Sequence, residues 1–161
     1  MEYDLSFAAR LADVADDVVQ KAPYAHDARR LVAYLSRLSV EIALKALLEH
    51  AGKPIKEIRG RSHNLRALLS DLTECEVQVE VSPGTLMWVS AARLRAISVD
   101  LGVSCVPIGD LITAENSGAS TYPNKIRYGE TVIDMPPSLL ASMAICTVRW
   151  AQDHCSTIRL R

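Results

Sequence analysis

Residues 36–69 read SRLSVEIALKALLEHAGKPIKEIRGRSHNLRALL, and this stretch gives the clearest prediction of local structure in the chain. Its apolar residues recur at three- and four-residue steps up to Ala51, which predicts a long amphipathic helix with Asp27 as its cap. Gly52 and Pro54 then end the helix in the usual order, with glycine just past the last turn and proline beyond it. The apolar stripe is wide, so we expect this helix to be buried on two sides.

A basic turn follows this helix. From Lys53 to Arg66 the chain carries five basic residues against a single acidic one, Glu57. Ser62 is placed to cap a third helix that begins at His63. The net charge of the chain is −1 and gives no general attraction for nucleic acid, so any binding of phosphate would depend on this local patch.

The composition favours a single domain built from helices. The chain has 161 residues, about one domain by the usual prior. Apolar residues make up 49% of it but aromatic residues only 5%, which suits helix packed on helix. Further helices are predicted over 3–21, 84–102 and 136–158. Residues 77–81 alternate as in a short strand or an extended linker.

The predicted fold is therefore all-α, an up-and-down bundle of four to five helices that fills residues 1–161. A long irregular segment, 103–135, precedes the last helix, because proline and glycine interrupt it repeatedly. A small β-hairpin is expected within it at 125–133.

Cysteine usage and hydropathy exclude several classes of protein. Cys75, Cys105, Cys146 and Cys155 form no Cys-x-x-Cys pair and have no zinc-ligand spacing, so we expect no metal and no cofactor. We expect no leader, because no charged and then apolar segment opens the sequence, and no apolar run reaches the ~20 residues that span a bilayer. We therefore expect a cytoplasmic protein with reduced cysteines and no membrane contact.

Four charged residues lie on one stripe of the long helix. Arg37, Glu41, Lys45 and Glu49 follow one another at four-residue steps. The structural interpretation is a solvated ladder of ion pairs, worth a few tenths of a kcal/mol per pair. The functional interpretation is that Glu41 and Lys45 face a cleft.

Three segments resemble the HEPN (higher eukaryotes and prokaryotes nucleotide-binding) domain family. SVEIALKALL at 39–48 resembles the second-helix pattern of that family, and His63-Asn64-Leu65 resembles its His-initiated helix. YPNKIRY at 122–128 is similar to the Arg-Tyr signature before the last helix. The resemblance implies a homodimeric helical bundle of a toxin-antitoxin or phage-defence system, often encoded beside a nucleotidyltransferase-type antitoxin. Active members are metal-independent ribonucleases.

The catalytic signature of that family is an Arg, a polar residue and, a few positions on, a His. The pair with that spacing here is Arg149 and His154, although Trp150 stands where the polar residue is usual. Histidine moves protons near neutral pH, and arginine stabilises charge on a phosphate. Five steps on a straight helix, however, turn the two side chains about 140° apart. The structural interpretation places His154 at the end of an apolar face and Arg149 in solvent.

A second candidate site for RNA or nucleotide phosphate is the basic turn. It would use Arg59, Arg61 and His63, with Arg127 folded over them and Tyr128 stacked on a base. The structural interpretation is a solvated loop. At the level of the whole chain, the alternative to a ribonuclease is a catalytically inert HEPN-like module for interaction or dimerisation.

Overall fold

Three long helices pack on one another and form one layer of the fold. The structure is a computed structural model that describes residues 1–21, 26–100, 105–114 and 135–161. The three long helices are α1 (Leu5–Lys21), α2 (His26–His50) and α6 (Pro137–His154). Short helices lie between them in the chain: α3 (Ile55–Gly60), α4 (Leu65–Asp71) and α5 (Ile108–Ala114). Within the described residues, no helix is both long and apolar enough to span a bilayer.

Helix α2 is the centre of the helical layer. Leu44, Leu47 and Leu48 are fully buried in its second half. Small residues on α1, among them Ala8 and Ala12, let its backbone come close to α2. The buried Ser39 hydroxyl of α2 donates to the carbonyl of Ala8 at 2.7 Å, which satisfies both groups inside the contact.

An antiparallel sheet packs beside the helices. Its central strand β1 (Cys75–Ser82) pairs on one edge with β2 (Thr85–Ser90) and on the other with β5 (Arg159–Leu160). A second, two-stranded sheet pairs β3 (Ser98–Asp100) with β4 (Cys105–Pro107). Cys75 and Val77 of β1 are buried and join the core made by the helices.

The all-α prediction was therefore wrong, because the fold is mixed α/β. Residues 84–102, predicted to be a helix, contain β2, a 3₁₀ turn (Ala91–Ala96) and β3. Pro83 and Gly84 form the two-residue turn between β1 and β2, and Gly84 has a φ of +78°, a conformation that favours glycine. The alternation of residues 77–81 is that of the strand β1.

Several element boundaries also differ from the predicted ones. The third helix begins at Leu65 with Asn64 as its cap, whereas Ser62 has a φ of +49° in the preceding turn. The basic turn contains the short helix α3, and the first part of the segment predicted to be irregular contains β4 and α5. The hairpin predicted at 125–133 lies outside the described residues.

Candidate active site

The charged stripe of α2 is buried rather than solvated. Arg37, Glu41 and Lys45 are only 2%, 6% and 7% exposed. A buried charge costs several kcal/mol unless it is paired and hydrogen-bonded. The interpretation of these residues as a solvated ladder of ion pairs is therefore wrong. Because buried charges need partners, the groups that contact them define the site.

The Glu41 carboxylate contacts two basic side chains, those of Lys45 and His63. Its Oε1 accepts from Lys45 Nζ at 2.8 Å. Both carboxylate oxygens also face His63 Nδ1, at 3.1 and 2.9 Å. The His63 side chain is 44% exposed, while that of Glu41 is buried. The carboxylate thus holds one ring nitrogen from inside the protein, and Nε2 has no partner among the described residues.

The local backbone explains why His63 reaches Glu41. The positive φ of Ser62 turns the chain sharply after α3. Two residues later, the side chain of Asn64 accepts from the backbone N–H of Ala67 at 3.0 Å and starts α4. His63 is therefore fixed between a tight turn and a capped helix, beside the middle of α2.

The first residues of the chain cover Lys45. The carboxylate of Glu49 accepts the backbone N–H groups of Glu2, at 2.7 and 3.0 Å, and of Tyr3, at 3.0 Å. This places the ring of Tyr3 5.4 Å from Lys45 Nζ, within cation–π range. Burial, followed by the charge of Glu2, raises the pKa of the Tyr3 hydroxyl. We call Tyr3, Glu41, Lys45 and His63 the His63 cluster.

Arg59 and Arg61 of the basic turn are engaged in ion pairs. Arg59 donates from Nε and Nη2 to the carboxylate of Glu2, at 2.9 and 2.6 Å, and this hydrogen bonding lowers the pKa of Glu2. Arg61 donates in the same way to Asp71, at 2.9 Å for both contacts. Both arginines remain exposed, and Tyr3 adds a further side-chain hydrogen bond to Arg59. Each can still contact a phosphate.

Asp71 belongs to a separate, structural cluster. The buried Lys53 Nζ lies 3.3 Å from Asp71 and 2.8 Å from Glu74. Burial alone would lower the pKa of Lys53, but its hydrogen bonds to Glu74 and Asp71 outweigh this and raise it. Burial also raises the pKa of the neighbouring Cys75 thiol to about 11, so Cys75 is not a nucleophile at neutral pH.

Arg149 and His154 of α6 do not contact each other. Arg149 is exposed and makes no ion pair within the described part of the chain. The ring of His154 lies 4.5 Å from that of Trp150, at an interplanar angle of 57°. Burial lowers the pKa of His154, the charge of Asp153 opposes that shift and the charge of Arg93 reinforces it. The structure therefore keeps this histidine neutral beside an indole.

The lowered pKa of His154 predicts a loss of stability in mild acid. The unfolded chain binds the proton first, near pH 6.5, so the stabilisation is complete above that pH and is lost as the pH falls through the lower folded pKa. We expect the thermal midpoint to fall more between pH 7.5 and 5.5 in the wild type than in His154→Gln. Equal falls in the two proteins would show that the His154 pKa is not lowered.

Comparison with known proteins gives no relative from which a function could be transferred. No family model, no curated protein and no solved structure matches this chain. Arg127 and Tyr128, predicted to complete the phosphate site, lie outside the described residues. Nor do the described residues contain a group of three or more His, Cys, Asp or Glu placed to hold a metal ion. Among the described residues, the His63 cluster is therefore the site from which a function can be inferred.

Proposed function

We propose that this protein binds RNA or nucleotide phosphate and cleaves RNA without a metal ion, with His63 as the proton-transfer group. The supporting observation is the contact between His63 Nδ1 and the buried carboxylate of Glu41 at 2.9 Å. A carboxylate that accepts the Nδ1 proton leaves Nε2 as the basic nitrogen of the neutral ring. Because His63 is about half exposed, a substrate can reach it.

In the proposed reaction, His63 Nε2 takes the proton of a ribose 2′-hydroxyl. The 2′-oxygen attacks the adjacent phosphorus, and the bond from phosphorus to the 5′-oxygen breaks. His63 then gives its proton to that leaving oxygen, so the products carry a 2′,3′-cyclic phosphate and a 5′-hydroxyl. Arg59 and Arg61 would hold the phosphate with their exposed guanidinium groups and stabilise its developing charge.

The HEPN resemblance supports the same class of activity. Its segments include SVEIALKALL in α2 and the start of α4, which carry Glu41, Lys45 and His63. We propose the setting that this resemblance implies, a homodimer in a toxin-antitoxin or phage-defence system. A nucleotidyltransferase-type antitoxin would be its partner.

A comparison of RNA and DNA tests this proposal. Purified protein in EDTA is incubated with single-stranded RNA and with DNA of the same sequence. We expect cleavage of the RNA alone, because the reaction needs the 2′-hydroxyl. Cleavage of both strands would contradict the mechanism, and cleavage of neither would favour the second candidate function.

The second candidate is an inert module for dimerisation or interaction. The hairpin formed by β1 and β2 favours it. Strand β2 is an edge strand without a charged residue, and its Leu86 and Met87 side chains are exposed. Uncharged apolar edges pair readily with other strands. In this reading, the buried pair of Glu41 and Lys45 serves the fold alone.

A further inference from the structure

A cavity of about 530 Å³ lies beneath the hairpin, away from the residues of the His63 cluster. Strand alternation directs Val77, Val79 and Val89 into it from β1 and β2. Val77 is buried in the core, whereas Val79 and Val89 are only partly covered. The outer part of the sheet is therefore not covered by the helices, and the side chains of Val79 and Val89 form an apolar side of the cavity.

The opposite wall is aromatic. Trp150 and His154 are one helical turn apart on α6, and both line the cavity. Their ring centroids lie 4.5 Å apart, and the two ring planes are tilted by 57°. Flat apolar molecules pack well between an aromatic surface and branched aliphatic side chains.

One basic and one acidic side chain line the cavity. Arg93, on the 3₁₀ turn, lines the cavity, is exposed and has no ion-pair partner among the described residues. The acidic side chain at the cavity is that of Glu80, whose carboxylate accepts the backbone N–H of Gly84 at 2.7 Å in the hairpin turn. An anionic group would therefore find its partner in Arg93.

We propose that this cavity binds a small amphipathic anion, with a flat apolar body between Trp150 and the valines and its anionic group at Arg93. The volume lies within the range of roughly 300–1,000 Å³ that is typical of small-molecule sites. No residue of the cavity belongs to the His63 cluster, so this site is independent of the proposed ribonuclease.

Two fluorescent probes test the proposal on the full chain. 8-Anilinonaphthalene-1-sulfonate has the required apolar body and an anionic group, and N-phenyl-1-naphthylamine has nearly the same body without the charge. We expect both to bind the wild type. Arg93→Ala is expected to weaken binding of the sulfonate about tenfold, as the loss of one charge-assisted contact implies, and to leave the neutral probe unchanged.

Two further variants control the test. Arg95→Ala removes a neighbouring exposed arginine that does not line the cavity, and it is expected to bind both probes as the wild type does. Ala96→Phe places a large side chain into the cavity from an exposed position and is expected to remove both signals. Probe binding that survives Ala96→Phe, equal effects of Arg93→Ala and Arg95→Ala, or no binding to the wild type would overturn the proposal.

Discussion

A His63→Ala variant is expected to cleave RNA about 10²–10⁴ times more slowly than the wild type, the range typical of losing a general acid–base group. Its fold is expected to persist, because His63 is about half exposed and the buried Glu41 keeps its pair with Lys45. The measurement is an initial rate of cleavage in EDTA, with the circular dichroism spectra of the two proteins matched.

Two companion variants make that result specific. Glu41→Gln keeps His63 but removes the carboxylate charge that orients it, and we expect a loss comparable to that of His63→Ala, up to about 10⁴-fold. His154→Gln separates the two catalytic hypotheses, because an enzyme that used Arg149 and His154 would lose its activity in this variant. We expect the His154→Gln variant to cleave RNA at a rate within about twofold of the wild type. A slow His154→Gln together with an active His63→Ala would move the site to α6.

Replacing Lys45 with methionine is expected to lower the free energy of unfolding by about 3–5 kcal/mol, because it removes the ammonium from the buried Glu41 carboxylate and leaves His63 as the remaining partner. Replacing both members, as Glu41→Leu with Lys45→Met, is expected to recover most of that loss, since an apolar pair has no charge to desolvate. Urea denaturation of the two variants at pH 8 measures the difference.

The chain offers a matched control for this prediction. Lys21 and Asp17 form an ion pair with the same four-residue spacing at 2.6 Å, but on the exposed surface of α1. Lys21→Met is therefore expected to cost roughly 0.5 kcal/mol or less. If Lys45→Met cost as little as Lys21→Met, the stripe on α2 would be solvated in solution and the burial of Glu41 would be wrong.

Helix α2 could be predicted from the sequence because all its determinants are local. Apolar spacing, Gly52 and Pro54 agree with one another, and the helix ends at His50. The sheet could not be predicted from the sequence, because the conformation of β2 depends on its pairing with β1. Leu86 and Val89 fit helical spacing equally well, and Trp88 on the outer face hides the alternation of the strand.

The candidate site was predicted only in parts. Glu41, Lys45 and His63 were each singled out, but in two separate constellations, because Glu41 and His63 are 22 residues apart and meet only through the turn at Ser62. A signal was present in the width of the apolar stripe of α2, which leaves little surface for a solvated charge. The ion pair between Arg59 and Glu2 joins residues that are 57 positions apart, so no local sequence pattern predicts it.

The most direct test of the His63 mechanism uses a DNA oligonucleotide that contains one ribonucleotide, incubated with the wild type in EDTA and analysed by mass spectrometry. The mechanism predicts a cut on the 3′ side of that ribonucleotide, a 2′,3′-cyclic phosphate on one product and a 5′-hydroxyl on the other. An intact oligonucleotide, or a product that carries a 5′-phosphate, would contradict it.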